Sequence, residues 1–368
     1  MQFLDDSLLP ENQDELIINV APYGPEWLPG DFPEDIAITL DEQVQKAVDC
    51  YNAGATSLHI HVREADGKGS KRLSMFNELI ARIRDRVPKM VLQVGGSISF
   101  APESEGDAAK WLGYDTRHLL AELTPKPDQV TIAINTSQMN ITELLSADDV
   151  RGTQFANPAV RQAWSEMVVD ATPSFYIEHL KRLRANGIQP YFMLGSLNTL
   201  ETVERLIRNG DYMGPLNHCL VAIGGGSVGP DPFNVMDYVR RSPQGSILQL
   251  EGIMRNVPPM MAMAIALGLH VRVGIEDNLW RNKTERFTSV QQIEQMVTIA
   301  RTLGRDIASA DDARRIMKIG TWYDSADETL AALGMSPNRK PGQRGFLEAP
   351  AVSAEAAHGS SAKAAVHA

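Results

Sequence analysis

This chain of 368 residues has few cysteines, and its net charge is not positive but negative. The two cysteines, Cys50 and Cys219, lie far apart and belong to no Cys-x-x-Cys pair, which excludes a disulfide framework and predicts buried, reduced thiols. Asp and Glu number 46 against 35 Lys and Arg, and the net charge of −11 has the wrong sign for binding a phosphate backbone. We therefore expect no nucleic-acid partner.

Long hydrophobic runs are missing as well. The longest, residues 258–269, has about a dozen residues, whereas a membrane-spanning helix needs about twenty. The first residues, Met1-Gln2-Phe3-Leu4-Asp5-Asp6, lack the basic start of a signal peptide. These absences predict a cytoplasmic protein that does not enter a membrane.

Hydrophobic residues make up 43% of the chain and charged residues 22%, which is typical of a globular protein with a sizeable core. Short apolar runs alternate with segments of helical period, which indicates βαβ units and a parallel sheet. Strands are predicted at 15–21, 56–62, 90–95, 129–134, 190–195, 218–223, 246–251 and 270–276.

Eight strand-then-helix units favour an α/β protein with the (β/α)8 TIM-barrel fold over an open doubly wound sheet. An open sheet more often has five or six strands and a glycine-rich fingerprint after the first. Here Ala21-Pro22-Tyr23-Gly24-Pro25 follows the first strand, and it has no such fingerprint.

The domain organisation follows from this fold. Residues 1–305 are predicted to form one catalytic barrel domain, with a polar insertion at about 135–172 after the fourth strand. Residues 306–349 are predicted to form a C-terminal helical extension, and 350–368 a low-complexity tail. The insertion is either a lid on the catalytic face or a loop without function, and the sequence leaves both open.

Two histidines on the second strand are the strongest chemical signal. Strict alternation places His59 and His61 on one face and the apolar residues Leu58 and Ile60 on the other. The apolar face must meet the helices, so both imidazoles are expected to point into the mouth of the barrel. Two such nitrogens can converge on one metal ion, which we favour over a pair of core histidines.

The eighth strand supplies a candidate third ligand. By alternation Arg272 and Glu276 share one face, and this strand lies two places from the second strand around a closed barrel. Two histidines and one carboxylate are a common ligand set for catalytic Zn²⁺, and they leave positions open for substrate. The alternative is that Glu276 forms only a structural salt bridge with Arg272.

Asp277, which follows Glu276, is a candidate general base, and Arg272 is positioned by sequence to orient it. A carboxylate beside a metal ion can take a proton from a bound substrate whose acidity the ion has raised. The alternative role for Asp277 is to cap the helix that follows.

Polar and glycine residues at other strand ends predict a substrate pocket. The candidates are Gly95, Gly96 and Ser97 after strand three, Thr131 and Asn135 on strand four, the loop Gly224-Gly225-Gly226-Ser227 after strand six, and Asn19 on strand one. Consecutive glycines allow close backbone approach, and their N–H groups can hold a phosphate or an oxyanion, but they are also common in tight turns.

Three segments together carry a family resemblance. The segment from His59 to Gly67, the glycine pair after strand three, and Val271-Arg272-Val273-Gly274-Ile275-Glu276-Asp277-Asn278 resemble the β-keto acid cleavage enzymes, typified by 3-keto-5-aminohexanoate cleavage enzyme. The resemblance covers about residues 15 to 305 and is specific in the combination of strands two and eight.

The resemblance implies a zinc-dependent acyltransferase, usually a homotetramer, that reacts a β-keto acid with acetyl-CoA to give acetoacetate and a new acyl-CoA. It implies His59, His61 and Glu276 as zinc ligands, Asp277 as the base and Thr131 as a pocket residue. One Zn²⁺ can chelate the carboxylate and keto oxygens and stabilise the enolate, which starts Claisen and retro-Claisen steps. The cofactor is then Zn²⁺ alone, with the CoA thioester as a substrate.

The sequence departs from the family at two positions that bear on the substrate. Family members usually carry a hydroxyl before the strand-three glycines, where this chain has Gln93 and Val94, and Ser97 is the candidate substitute. Acidic residues that the family tends to show after a proline are replaced by Ser174-Phe175-Tyr176 after Pro173. We therefore expect neutral or anionic β-keto acids to be preferred over cationic ones.

Two other functions remain open. Another metal-dependent barrel enzyme, a hydrolase or an aldolase, could use the same three ligands to activate water or a simple enolate. A non-catalytic barrel with a structural ion needs a fourth protein ligand, and His270 lies about 20 Å from Glu276 along a fully extended strand.

Overall fold

The eight predicted strands form a closed parallel barrel, which confirms the predicted fold class. The computed structural model describes residues 1–95, 100–101, 110–111, 113–134, 140–168, 171–254 and 257–345. The barrel strands are β1 (Ile18–Val20), β2 (Ser57–Ile60), β3 (Val91–Val94), β4 (Gln129–Ala133), β5 (Gln189–Leu194), β6 (Asn217–Ala222), β7 (Ile247–Gly252) and β8 (His270–Val273). Neighbours along the chain pair in order, and β8 closes on β1, so that β8 and β2 flank β1.

The strands are shorter than predicted, and the difference matters most at the end of β8. This strand ends at Val273 rather than at residue 276, because Gly274 adopts a φ of 133° and a side chain there would strike the carbonyl of Ala21. The chain then turns over the end of β1, where the N–H of Glu276 donates to the Ala21 carbonyl at 3.1 Å. Glu276 therefore belongs to a turn at the barrel rim.

Helices cover the outside of the barrel. In the described residues they are α1 (Leu40–Ala53), α2 (Leu73–Arg86), α3 (Tyr114–His118), α4 (Pro158–Ser165), α5 (Pro173–Ala185), α6 (Leu197–Asn209), α7 (Pro232–Arg241), α8 (Val257–Ala266), α9 (Ser289–Thr302), α10 (Ala310–Ile316) and α11 (Ala326–Ala332). Short 3-10 helices lie at Pro10–Asn12, Pro29–Asp31, Leu119–Glu122 and Gln154–Ala156, and two-stranded antiparallel sheets pair Val62–Arg63 with Gly69–Ser70 and Phe100–Ala101 with Lys110–Trp111.

Side chains on the two faces of the strands separate as alternation requires. Leu58 and Ile60 of β2 pack into the large apolar cluster between sheet and helices. The inner face carries buried amides instead: Asn19 donates from Nδ2 to Gln93 Oε1 at 3.4 Å and to Gln249 Oε1 at 3.2 Å. The barrel interior below the rim is thus held by hydrogen bonds between side chains of different strands.

The C-terminal extension predicted at 306–349 contains α10 and α11 in its described part. The tail predicted at 350–368 lies outside the described residues. Cys50 and Cys219 are both buried and free, as predicted. In the part of the chain that the structure describes, no helix is both long enough and apolar enough to cross a bilayer.

His218 on β6 gives a test of acid stability that is independent of the site. It is fully buried, with Nδ1 at 2.9 Å from the Tyr238 hydroxyl and Nε2 at 3.1 Å from the Ser246 hydroxyl. Burial lowers the pKa of His218 from 6.5 to about 3, so the folded state resists a proton that the unfolded chain accepts. The stability this residue contributes is therefore complete above pH 6.5 and is lost as the pH falls toward 3.

Between pH 6.5 and pH 5, we expect the free energy of unfolding to fall by roughly 1.5 kcal/mol less in His218→Gln than in the unmodified chain. Urea unfolding at both pH values measures this difference, and comparing slopes removes any constant cost of the substitution. Equal slopes for the two proteins would contradict a neutral, buried His218.

Candidate metal centre and active site

Three side chains from β2 and the turn after β8 converge at the rim of the barrel. His59 Nε2 and His61 Nε2 lie 3.0 Å apart, and Glu276 Oε1 lies 3.3 Å from the first and 3.5 Å from the second. All three residues are buried. Among the described residues, these are the three His, Cys, Asp or Glu side chains that come close enough together to hold a metal ion.

Hydrogen bonds to side chains of neighbouring strands fix the ring orientation of His59. Its Nδ1 donates to Gln93 Oε1 on the neighbouring strand β3 at 2.8 Å, and Gln93 in turn donates from Nε2 to Gln129 Oε1 at 3.2 Å. Because an amide oxygen only accepts, the proton of His59 sits on Nδ1, and the lone pair of Nε2 faces the cluster. This is the tautomer that metal coordination through Nε2 requires.

His61 lies one residue beyond the end of β2, and Gln43 of α1 donates from Nε2 to its backbone carbonyl at 3.0 Å. Burial lowers the pKa of His61 to about 3, so its imidazole is neutral at neutral pH. On its other side Lys71 Nζ lies 3.4 Å from Nδ1, and burial lowers the pKa of Lys71 to about 8. Both imidazoles of the pair thus direct Nε2 toward the cluster, as metal ligands would.

Glu276 is held by partners that leave one of its oxygens available. Arg272 Nη2 donates to Oε1 at 2.7 Å, and the indole N–H of Trp27 donates to the backbone carbonyl at 3.3 Å. Burial favours the protonated acid, but the guanidinium of Arg272 stabilises the carboxylate, and the pKa of Glu276 lies well below its usual value. Oε2 is buried without a hydrogen-bond partner in the structure.

These observations fit a divalent cation. Two imidazole nitrogens and a carboxylate are donors that Zn²⁺ prefers, and the orphaned Oε2 of Glu276 is a buried charge that a cation would neutralise. Gly95 at the end of β3 supplies the space, because a Cβ built on it would overlap the Nε2 atoms of His59 and His61 and lie 2.6 Å from His59 Cε1.

We expect Gly95→Ala to reduce bound metal and activity together, although it changes no ligand. Its methyl group must displace both imidazoles, so a loss of about 10- to 100-fold in metal affinity is expected, the range for disturbed ligand orientation. Metal analysis of the dialysed protein and a binding titration measure this effect. Gly30→Ala is the matched control, since no atom lies within 4 Å of its added Cβ; full metal binding by Gly95→Ala would contradict the assignment.

Asp277 stands next to the candidate ligand Glu276, and Arg272 holds it on two sides. Arg272 donates from Nε to Oδ2 at 3.1 Å and from Nη2 to Oδ1 at 2.8 Å. Burial raises the pKa of Asp277 above its usual value, although the charge of Arg272 opposes the shift. An oriented, buried carboxylate with a raised pKa is suited to accept a proton near neutral pH. The predicted salt bridge from Arg272 to Glu276 is present as well, so the two interpretations of Glu276 are compatible.

The cluster opens into a cavity whose empty space, including its open mouth, is about 540 Å³. Its lining residues are Glu26, His59, His61, Gly95, Thr131, Ile141, Trp164, Met193, Glu251, Ile253, Met254, Arg272 and Glu276. The predicted pocket residues Gly95 and Thr131 are among them. Ile141 and Trp164 belong to the insertion, whose described part therefore covers the cavity rather than standing apart from it.

Two carboxyl groups in this lining were missed by the sequence analysis. Glu251 is at the end of β7, and Gln249 and Glu251 alternate inward on that strand, so periodicity alone could have found it. Burial raises its pKa well above the usual value, and its Oε2 accepts from the thiol of Cys219 at 3.4 Å. Glu26 follows β1 in a loop without regular period, and burial and the charge of Glu276 raise its pKa to about 8.

Other predicted positions do not reach the cavity in the described residues. Asn19 lies in the amide layer beneath the rim and is not among the described residues that line the cavity, so its role as a substrate contact stays a prediction. In the glycine loop the N–H of Gly225 is taken by the carboxylate of Glu143 from the insertion. Gly96, Ser97 and Asn135 lie outside the described residues. His270 accepts from the N–H of Ile17 at 3.1 Å on Nδ1, away from the cluster, as predicted.

Comparison with known proteins agrees with the geometry of this site. The family model described as beta-keto acid cleavage enzyme matches residues 15–319. The chain is 26% identical over 309 residues to a 3-keto-5-aminohexanoate cleavage enzyme of Acetoanaerobium sticklandii. The match covers 83% of this chain and 99% of that protein. It is also 26% identical over 291 residues to a 3-dehydrocarnitine:acetyl-CoA trimethylamine transferase of Rhizobium meliloti, covering 77% of this chain and 90% of that one.

A solved structure described as the ternary complex of ObcA with a C4-CoA adduct and oxalate shares the fold with a TM-score of 0.54. The match covers 76% of this chain and 67% of that chain at 13% sequence identity. At this identity the likeness supports the barrel architecture alone.

Proposed function

The chain belongs to the β-keto acid cleavage enzyme family, and on that basis we propose that it is a zinc-dependent enzyme that converts a β-keto acid and acetyl-CoA into acetoacetate and a new acyl-CoA. The observation that carries the proposal is the convergence of His59, His61 and Glu276 in a cavity beside Asp277. The names of the two relatives, one a cleavage enzyme and one an acetyl-CoA-dependent transferase, support the same reaction type.

His59, His61 and Glu276 are the residues that would hold the ion. When bound, a divalent cation supplies Lewis acidity to the keto and carboxylate oxygens of the substrate, which raises the acidity of the C2 proton between them. Among the described residues the cluster offers three ligands rather than the four of a closed structural zinc site, which favours a catalytic ion with positions left for substrate.

Asp277 is the residue we assign to accept the C2 proton. The two hydrogen bonds from Arg272 fix its carboxylate, and its raised pKa keeps the proton available for return. Carbon C2 then attacks the thioester carbonyl of acetyl-CoA, a new carbon–carbon bond forms, and CoA leaves as the thiolate. The thiolate attacks the original keto carbon, the bond from that carbon to C2 breaks, and Asp277 returns its proton to C2 of acetoacetate.

Thr131 and Gly95 line the cavity beside the cluster, and we assign them to the substrate-binding surface. The hydroxyl of Thr131 donates to the Val94 carbonyl at 3.4 Å. The family resemblance leads us to expect a homotetramer, which light scattering on the purified protein tests.

Isotopic labelling tests the proposed reaction. The zinc-loaded protein is incubated with a β-keto acid and acetyl-CoA that carries ¹³C in both acetyl carbons. The proposed reaction places both labels in C3 and C4 of acetoacetate and leaves the new acyl-CoA unlabelled. Consumption of the acid without acetyl-CoA, or unlabelled products in its presence, would instead favour the alternative hydrolase or aldolase.

A further inference from the structure

The cavity has a wall that the proposed chemistry does not use. Five of its lining residues are apolar: Ile141, Trp164, Met193, Ile253 and Met254. All five belong to one apolar cluster or pack against it, and this cluster is separate from the main core between sheet and helices. The reacting part of a β-keto acid is polar, so an apolar wall of this extent is available for the substituent on the keto carbon.

The insertion contributes two of these residues in a defined position. The ring of Trp164 meets that of Phe155 edge to face at 6.1 Å, and Phe155 meets Trp27 in the same way at 5.1 Å. Trp27 in turn donates to the carbonyl of Glu276 at 3.3 Å. A chain of packed aromatic rings therefore connects the insertion to the metal-site turn and fixes where Trp164 stands.

Hydrogen bonds near the start and in the middle of the insertion hold it over the cavity. Near Ile141, Glu143 accepts from the N–H of Gly225. Further along, the N–H of Gln154 donates to Asp31 Oδ1 at 2.8 Å, and the carbonyl of Gly152 accepts from Arg286 Nη2 at 3.0 Å. These contacts reach three different βα loops of the barrel, so the insertion is a built part of the cavity wall.

Charge is distributed unevenly around the cavity. Among the described residues that line it, Arg272 is the one permanently charged cation, and it is engaged with Asp277, Glu276 and Glu251. Nη1 of Arg272 is buried without a hydrogen-bond partner, but no further cation is present among the described lining residues. A second carboxylate held against the apolar wall would therefore lack a counter-charge there, which is costly in a buried site. The carboxyl groups of Glu26 and Glu251 also line the cavity, and burial raises their pKa values.

We propose that Ile141 and Trp164 of the insertion, together with Met193, Ile253 and Met254, bind an uncharged alkyl substituent of the β-keto acid and exclude substrates that end in a second carboxylate. The insertion is then a specificity element of this enzyme. This inference rests on the proposed function and narrows the expected preference for neutral or anionic acids over cationic ones to a preference for neutral acids.

Three acids of equal chain length test the proposal. They are 3-oxohexanoate, which is alkyl, 3-oxohexanedioate, which carries the second carboxylate, and 6-trimethylammonio-3-oxohexanoate, which is cationic. We expect kcat/KM with acetyl-CoA to be highest for 3-oxohexanoate and on the order of 100-fold lower for the dianion, because an unpaired buried charge is expensive. A dianion or cation that equals or exceeds the alkyl acid would overturn the proposal.

A charge introduced into the wall provides a test in the opposite direction. Ile141→Lys places an ammonium group in the wall, and Ile141→Met is the matched control with a long neutral side chain. We expect Ile141→Lys to raise the ratio of kcat/KM for the dianion to that for 3-oxohexanoate by at least about 10-fold, and Ile141→Met to leave that ratio unchanged. An unchanged ratio in Ile141→Lys, with metal content and thermal stability retained, would place the substituent elsewhere.

The experiment also separates this inference from the proposed function. If the unmodified enzyme forms labelled acetoacetate but prefers a charged acid, the reaction stands and the specificity assignment fails. If it cleaves none of the acids with acetyl-CoA, the proposed function fails. In that case calorimetric titration of Ile141→Lys and Ile141→Met with the dianion and 3-oxohexanoate still tests the wall. Tighter binding of the dianion by Ile141→Lys than by Ile141→Met supports the assignment of the wall to the substituent. Equal binding of the dianion by the two variants contradicts that assignment.

Discussion

Replacing His59 by alanine is expected to remove the bound metal and to lower kcat/KM for β-keto acid cleavage by at least roughly 1,000-fold, which corresponds to about 4 kcal/mol of transition-state stabilisation. His59 offers one of two nitrogen donors, and Glu276 Oε1 lies 3.3 Å from its Nε2. Without His59, two protein ligands remain. The site then no longer orients the substrate or raises the acidity of its C2 proton. Metal analysis measures the bound metal, cleavage assays measure kcat/KM, and circular dichroism shows whether the variant is folded.

His218→Gln is the matched control for this substitution. It also removes a buried imidazole, but His218 contacts Tyr238 and Ser246 rather than the cluster. We expect it to retain a full complement of metal and near-normal turnover. If His59→Ala kept its metal and its activity while remaining folded, the three-ligand site would be wrong, and with it the proposed chemistry.

The barrel could be predicted because its signal repeats. Each strand is short, apolar and followed by a helical segment, and eight repetitions of this pattern leave few alternatives. Strand ends were predicted less well, since a strand ends where tertiary contacts end it. At β8, the close approach of Gly274 to Ala21 terminates the strand before Glu276. No local preference in the sequence predicts that contact.

Alternation on β2 predicted which residues face inward, because a strand with one apolar face has one possible orientation against the helices. His59 and His61 are accordingly on the inner side with Glu276 nearby. Asn19 faces inward by the same rule, yet it lies one layer too deep to line the cavity. Alternation gives the face of a residue but not its depth along the barrel axis.

Loops carried the residues that the sequence analysis missed. Glu26 and Trp27 lie in the turn after β1, which Arg63 fixes through the backbone carbonyls of Tyr23, Gly24 and Trp27. Trp164 reaches the cavity only through the folded insertion. These placements depend on contacts between segments far apart in the chain, for which a single sequence has no periodic signal.

Asp277→Asn is expected to separate metal binding from proton transfer. The amide has nearly the shape of the carboxylate and can still accept one hydrogen bond from Arg272, so the metal should stay bound. It cannot accept the C2 proton, and a loss of about 10²- to 10⁴-fold in kcat is expected for removal of a general base. Exchange of the C2 protons of the β-keto acid in D2O, followed by NMR without acetyl-CoA, measures this step directly.

The pH profile gives the same assignment a second, independent test. Asp277 must be ionised to act as a base, and burial raises its pKa, so kcat/KM should rise with pH as this carboxyl loses its proton. Asp277→Asn should lose that rising limb. Glu251→Gln is the informative comparison, since Glu251 is also buried beside Arg272, whose Nε lies 3.5 Å from Oε2, and burial raises its pKa well above the usual value. Because we assign no proton transfer to Glu251, Glu251→Gln should keep the rising limb and cost less in kcat. If instead Glu251→Gln abolished proton exchange and Asp277→Asn did not, the base would be Glu251.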